Sequence, residues 1–300
     1  MTEPAPGPGA CDLHLHTYYS DGRSSPEELL RHAAQMGLKC IAITDHDNTR
    51  GVREVLPLAD LLGIELIPAI EFTCRWDGKL PKDVEQGDID VLGYYIDLDN
   101  REFRLSEKAA LDDLHARITD CCQVLSEAGY PVSIEDAFEQ NPRYGGAAQV
   151  IQALWRKGQV DRWESAIPLF ESTWRRVRSS RFSIENAIDV IHAAGGAAVL
   201  AHPSVIRSYR GWLRSEHIEA LAAMGLDGIE VFHHRLKPEA RAHFTSLARR
   251  YDLIITGGSD EHGWPEGFPR LGGQAVPLET SLALKERALN RAANHEQSKL

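Results

Sequence analysis

Short, nearly continuous apolar runs alternate along most of the chain with longer stretches in which apolar residues return every three or four positions. The runs around "DLHLH" (12–16), "KCIAIT" (39–44), "IELIPAIEF" (64–72), "AAVLAHP" (197–203), "DGIEVFHH" (227–234) and "LIITGGSDEHG" (253–263) read as strands. Between them, "SSPEELLRHAAQMG", "NTRGVREVLPLADLLG", "SIENAIDVIHAAGG", "SEHIEALAAMG" and "KPEARAHFTSLARRYD" carry the helical period. The first helix has its punctuation written out: Ser25 to cap, Pro26 in the first turn, Glu28 to complete a capping box, Gly37 to stop it. In the second, Pro57 is expected to kink or interrupt the helix. Strand–helix alternation predicts an α/β fold on a parallel sheet, and this many units predicts closure into a barrel.

From residue 101 to about 182 the rhythm is helical throughout, in "LSEKAALDDLHARITDCCQVLSEAG", "SIEDAFEQN", "AAQVIQALWRKG" and "ESAIPLFESTW". The expected organisation is therefore a flexible tail at 1–10, a barrel built from 11–100 and 183–285, a helical insertion at 101–182, and a helix end and tail at 286–300. Insertions between barrel strands sit at the active-site face and shape access to it.

Composition narrows the classes of partner. A chain of 300 residues buries an ample core without staples. A formal net charge of -11 disfavours a broad electrostatic grip on duplex DNA, so any phosphate must be held locally. Five cysteines, with no Cys-x-x-Cys spacing and no secretory leader before them, read as reduced thiols of a cytoplasmic protein. No apolar run approaches the length of a membrane span. The oligomeric state is not written in the sequence.

Metal-ligand residue types concentrate at the predicted strand ends. In the first strand His14 and His16 are expected on one face and Leu13 and Leu15 on the other. Asp21 follows in the next loop, "ITDHD" supplies His46 between Asp45 and Asp47, Glu71 lies near the end of "IPAIEF", His202 ends "VLAHP", and Asp260 and His262 close "GGSDEHG". Carboxyl ends of parallel barrel strands converge on one face, so side chains from separate segments are expected to meet there. Six segments supplying imidazole and carboxylate in this way outweigh the alternative of unrelated surface and capping residues.

Taken together, "DLHLHTYYSDG", "AITDHDN", "IPAIEF", "VLAHP" and "GGSDEHG" resemble, in order, the motifs of the polymerase and histidinol phosphatase (PHP) family of metal-dependent phosphoesterases, over roughly residues 11 to 280. The resemblance implies a distorted (β/α)7 TIM-like barrel with an inserted helical subdomain and a site for two to three divalent ions, Mn, Fe or Zn. It implies that His14, His16, Glu71 and Asp260 hold a first ion, that Glu71 bridges to a second also bound by His202, and that Asp21, His46 and His262 hold a third. Asp90, in "DVLGY", stands where many relatives have histidine; a carboxylate there is expected to bind the same ion and to favour Mn or Fe over Zn, the alternative being a weak or empty second position. Four carboxylates against three divalent ions leave positive potential for a phosphate, with a metal-bridged hydroxide as the expected nucleophile. Asp12, Asp45 and Asp47 are expected either to orient imidazoles or to satisfy loop backbone.

Within the family, the resemblance is nearest to the branch that hydrolyses nucleoside 3′,5′-bisphosphates and trims 5′-phosphorylated short oligonucleotides, which carries a helical insert in the same place. The expected substrate is thus a small phosphorylated nucleotide or short oligonucleotide. Arg143, in "NPRYGG", is the expected anchor for a second phosphate, with Arg207 a second candidate. His233 and His234 follow another strand, where one is expected to bind phosphate and His234 to donate a proton to the leaving oxygen. Two other readings stand beside this one: a small-metabolite phosphatase such as a histidinol phosphatase, and a non-catalytic metal-binding module.

Overall fold

A computed structural model describes residues 10–76, 87–178, 182–204, 212–263 and 270–297. Seven strands form one sheet in sequence order: β1 (Cys11–Leu15), β2 (Cys40–Ile43), β3 (Glu65–Trp76), β4 (Gly87–Tyr94), β5 (Ala197–Leu200), β6 (Gly228–Phe232) and β7 (Ile254–Gly257). Helices α1 (Pro26–Gln35), α2 (Arg50–Leu62), α7 (Ile184–Ala193), α8 (Ser215–Ala223) and α9 (Pro238–Arg250) connect them. The sheet nearly closes on itself. Asp260 N donates to His14 O at 2.9 Å and His16 N to Glu261 O at 3.0 Å, so the seam between β1 and β7 is stitched by backbone beside the candidate ligands.

The sheet is not all parallel. β4 pairs antiparallel with both β3 and β5, while every other neighbouring pair is parallel. Because β4 runs backwards, its first residues rather than its last reach the rim where the other strands end. That reversal places Asp88 and Asp90 opposite Arg75 and Thr73 on the extended end of β3.

The barrel interior is filled by Cys11, Leu13, Ala42, Ile67, Leu92, Tyr94 and Val199, with Leu284 of α10 (Leu278–Gln297) packing against them. Leu15, in contrast, joins the outer cluster under α1 and α2. The pairing of β1 with β2 shifts register between Asp12 and Leu15, so Leu13 and Leu15 do not share a face as simple alternation predicts. A bulge re-aims side chains in this way, and here it falls on the segment carrying His14.

Ser25 and Glu28 form the expected capping box on α1. α2 runs continuously through Pro57, contrary to the expected interruption; its buried face of Val52, Val55 and Ala59 outweighs one missing hydrogen bond. Between β4 and α7 lie α3 (Arg101–Glu127), α4 (Ile134–Gln140), α5 (Ala147–Arg156) and α6 (Trp163–Trp174), which share a separate core that includes Ile118, Leu125, Val150, Leu154 and Phe170. Among the described residues no helix is long and apolar enough to cross a membrane. The five cysteines are free and buried.

Candidate metal centre

All nine side chains proposed as ligands lie at the rim where β1, β2, β3, β5 and β7 end. His14 Nε2 and His16 Nε2 are 3.1 Å apart. Glu71 Oε2 lies 3.1 Å from the first and 3.3 Å from the second, and Asp260 Oδ1 3.5 Å and 3.3 Å from them. Four atoms at such spacings surround a point about 2 Å from each, a typical ligand-to-zinc distance. Glu230 Oε1 is 3.2 Å from His14 Nδ1, which assigns the ring proton there and leaves Nε2 a bare acceptor facing a second imidazole and two carboxylates. Such an assembly of acceptors needs positive charge at its centre, and a divalent cation fits it.

The same demand is visible in the titration of the rings. Burial works against charge on His16, yet Asp260 and Glu71 outweigh it and push the imidazole up to about 10. Burial likewise opposes ionised Asp21 and Glu71, but the surrounding histidines hold both carboxyls below their ordinary range.

Two further groups share members with the first. Glu71 turns its other oxygen, Oε1, to His202 Nε2 at 3.0 Å, and Asp90 Oδ2 is 3.8 Å from that nitrogen. On the opposite side Asp21 Oδ1 lies 3.2 Å from His262 Nε2, 3.7 Å from His16 Nδ1 and 3.9 Å from His46 Nε2. Among the described residues Asp21 Oδ1 and His46 Nδ1 are buried without a hydrogen-bond partner, the state of groups whose partner is an ion. His14, Glu71 and His202 form one set, His14, His16 and Asp260 a second, and His16, Asp21, His46 and His262 a third; in each, one donor atom per residue lies within 4.8 Å of the others.

Local backbone aims these groups. Asp47, His202 and Asp260 all adopt positive φ, at 54°, 23° and 57°, a conformation that non-glycine residues hold only where surroundings enforce it. Gly258 leaves no room for a side chain: an added Cβ would collide with His14 Cβ and its backbone nitrogen.

The three adjoining aspartates satisfy loops more than rings. Asp12 accepts from Ser259 N and Gly272 N, and Asp47 from Thr73 N at 2.9 Å. Asp45 accepts from Thr17 N, Thr17 Oγ1 and Ser20 Oγ, and Ser20 Oγ stands 3.3 Å from His16 Nδ1. The carboxylate that orients His14 is instead Glu230, which sequence reasoning missed; its second oxygen accepts from His202 N at 2.8 Å. The available signal was an acid inside the apolar run "GIEVF".

The proposed substrate contacts are distributed differently. His233 is fully buried, with Nδ1 accepting from Arg235 N and Nε2 3.4 Å from Asp260 Oδ2, so it supports that carboxylate instead of facing a substrate. His234 lies beside it, ring centroids 4.4 Å apart and tilted, and burial first, then His233, holds its imidazole down to about 4. Arg143 lies over the ring of Tyr18 at 4.2 Å. Arg207 lies outside the described residues.

Beside the ligand groups a cleft of about 650 Å³ opens between Asp21, His46, Asp90 and His202 on one side and Leu114, Tyr144 and Trp174 of the helical segment on the other. Asp88 at its edge accepts from Trp174 Nε1 at 2.6 Å and Arg117 Nη2 at 3.0 Å, which pins α3 and α6 to β4. Asn141 Nδ2 donates to Tyr18 O and Ser20 O, tying the segment to the loop that carries Asp21.

Comparison with known proteins agrees with this geometry. The model of the PHP domain matches residues 12–185. The phosphoribosyl 1,2-cyclic phosphate 1,2-diphosphodiesterase of Eggerthella lenta is 32% identical over 273 residues, 87% of this chain and 97% of that protein. The 5′-3′ exoribonuclease Rnm of Escherichia coli is 31% identical over 264 residues, 84% of each. A solved structure from Bifidobacterium adolescentis, provisionally assigned as a metal-dependent phosphoesterase, has a TM-score of 0.79 at 28% identity, covering 94% of this chain and 97% of that one. With a family model matched over more than half its length and relatives above 30% identity across most of it, the chain belongs to the PHP domain family.

Proposed function

We propose that this chain is a metal-dependent phosphoesterase that breaks the ester of a small 5′-phosphorylated nucleotide, either a nucleoside 3′,5′-bisphosphate or the first linkage of a short 5′-phosphorylated oligonucleotide. One observation carries the reading: Glu71 offers one oxygen to His14 and His16 and the other to His202, linking neighbouring ligand groups beside a cleft walled by Tyr144 and Trp174. The relatives support it, since their names describe hydrolysis of a phosphodiester and of RNA from the 5′ end.

In this reading His14, His16, Glu71 and Asp260 hold one divalent ion, Glu71, His202 and Asp90 a second, and Asp21, His46 and His262 a third, Mn, Fe or Zn. Bound ions supply a Lewis acid for phosphoryl oxygens and water of lowered pKa. The protein's own groups do the rest. Glu230 fixes the tautomer of His14, and Ser20, held by Asp45, buttresses His16. Tyr144 and Trp174 wall the cleft and exclude water from it. Arg143, held against the loop that carries Asp21, is assigned the substrate's second phosphate.

Phosphate release or chain shortening should be measured with Mn²⁺ on adenosine 3′,5′-bisphosphate, adenosine monophosphates, histidinol phosphate, a phosphoribosyl 1,2-cyclic phosphate and a 5′-phosphorylated trinucleotide. Preference for the bisphosphate or trinucleotide is expected. Turnover of the cyclic phosphate or histidinol phosphate alone would replace the nucleotide by a small metabolite, and silence throughout would leave a metal-binding module. Asp90→His should keep metal content and activity while Asp90→Ala lowers both; wild-type values in both variants would remove Asp90 from the ligand set.

A further inference from the structure

The cleft described above reaches the ligand groups from the β3–β4 side of β5. On the other side of β5, toward β6 and α9, lies a second recess of about 690 Å³, lined by Ser204, Trp212, Arg235, Lys237 and Ala240. The two adjoin across one short segment, since His202 borders the cleft and Ser204 the recess.

The recess has the chemistry of a nucleotide site. Among the described residues its lining holds two cations and no acid, in a chain of net charge -11, and neither Arg235 nor Lys237 forms an ion pair. Arg235 Nε donates to His234 Nε2 at 3.3 Å, and His234, His233 and Asp260 each bring one nitrogen or carboxylate oxygen within 4.8 Å of the others, so the guanidinium is one hydrogen bond removed from the Asp260 group. Trp212 is 41% exposed, yet it is held in place: its ring lies 5.6 Å from that of His243, whose Nε2 donates to the neighbouring Leu213 O at 2.7 Å. A fixed indole with an open face is a stacking platform for a base, and every base has such a face to offer. Ser204 Oγ is buried without a partner among the described residues, an acceptor and donor awaiting a polar group.

We propose that this recess receives the nucleotide downstream of the scissile phosphate, so that the preferred substrate is a phosphodiester flanked by nucleotides on both sides. The proposal rests on the phosphoesterase reading above. Water adds to phosphorus, the P–O3′ bond breaks, and O3′ of the upstream nucleotide leaves with the bonding pair and takes a proton. The phosphate stays on O5′ of the downstream piece, and water's second proton is released. A nucleoside 3′,5′-bisphosphate breaks the same bond, but the phosphoryl group it transfers carries nothing beyond its own oxygens. Both substrates therefore fill the cleft, and only the diester fills the recess.

The test compares kcat/KM for a 5′-phosphorylated trinucleotide and for adenosine 3′,5′-bisphosphate in the Mn²⁺-loaded full chain and in its Trp212→Ala, Trp212→Phe and Arg235→Gln variants. Wild type is expected to favour the trinucleotide. Trp212→Ala and Arg235→Gln should each lower the ratio of the two values about tenfold, mainly through KM for the trinucleotide, and Trp212→Phe should restore most of the loss. Equal losses on both substrates, or a ratio that no substitution moves while the bisphosphate is turned over, overturn the recess alone. Hydrolysis of neither substrate by wild type overturns the phosphoesterase reading and the recess with it.

Discussion

Glu230 sits in the middle of β6 with no solvent contact, one oxygen on a ring nitrogen of His14 and the other on the backbone of His202. Both of its partners are donors, so an amide in its place would turn an N–H toward one of them. Glu230→Gln is therefore expected to raise the metal concentration needed for half-maximal activity by 10- to 100-fold, with activity recovered at high metal. A metal titration of activity, with metal content measured in parallel, checks this; an unchanged titration would leave Glu230 a packing residue. The candidate ligands His14, His16, His202 and Asp260 were legible because they sit near strand ends beside turns, where residue type and position point the same way. Glu230 was not, because its partner is 216 residues distant and nothing local marks an acid in a strand as aimed inward. The bulge that separates Leu13 from Leu15 was hidden for a similar reason: it is a property of the pairing of β1 with β2, and one strand's sequence carries only its own alternation.

At the level of elements, all but one of the strands followed from the apolar runs, and the direction of β4 did not. "DVLGY" reads as strand in either sense. Its pairing with β3 is antiparallel, and antiparallel neighbours need no crossover helix between them. The helices between β4 and α7 were equally plain from their period, but their attachment was not, since it depends on single polar groups. Asn141 is one of them, spanning to two carbonyls of the loop that carries Asp21. Asn141→Ala removes the donor to Tyr18 O and leaves Ser20 O only the longer bond from Gln149 Nε2 at 3.5 Å, at a local cost of about 1–3 kcal/mol. Faster hydrogen exchange over residues 17–22 and lower metal occupancy are expected, while α3 to α6 keep their own core. Exchange rates and metal content equal to wild type would show that the loop stands without this contact.

For the molecule as a whole, a buried carboxylate gathers the contacts at the end of the barrel away from the candidate ligands. Asp227, before β6, accepts from Ala198 N and His192 Nε2 and pairs with Arg287 and Arg291 of α10. Burial favours its neutral form, but His192, the Ala198 amide and Arg291 prevail and lower its pKa below the ordinary 3.8. A carboxyl whose folded value is depressed stabilises the fold above its unfolded value and loses that contribution as pH falls through the folded one. Asp227→Asn is accordingly expected to cost about 2 kcal/mol at pH 7 and progressively less below pH 4. Urea unfolding at pH 7 and pH 3.5 measures the difference, and a cost independent of pH would assign it to packing. How α10 closes this end was not legible in the sequence, where its residues show only a helix of mixed polarity; burial of Leu284 in the barrel interior is a fact of the assembled barrel.

The seam between β1 and β7 also sets a timetable. His14 and His16 are made well before Asp260 and His262, whose backbone neighbours close the seam on them. At roughly 5–20 residues per second, the two halves of the centre are synthesised roughly 12 to 50 seconds apart. During that interval the nascent polypeptide holds the first imidazoles without the carboxylate that lies against them in the folded chain, so the group cannot assemble until the seam closes.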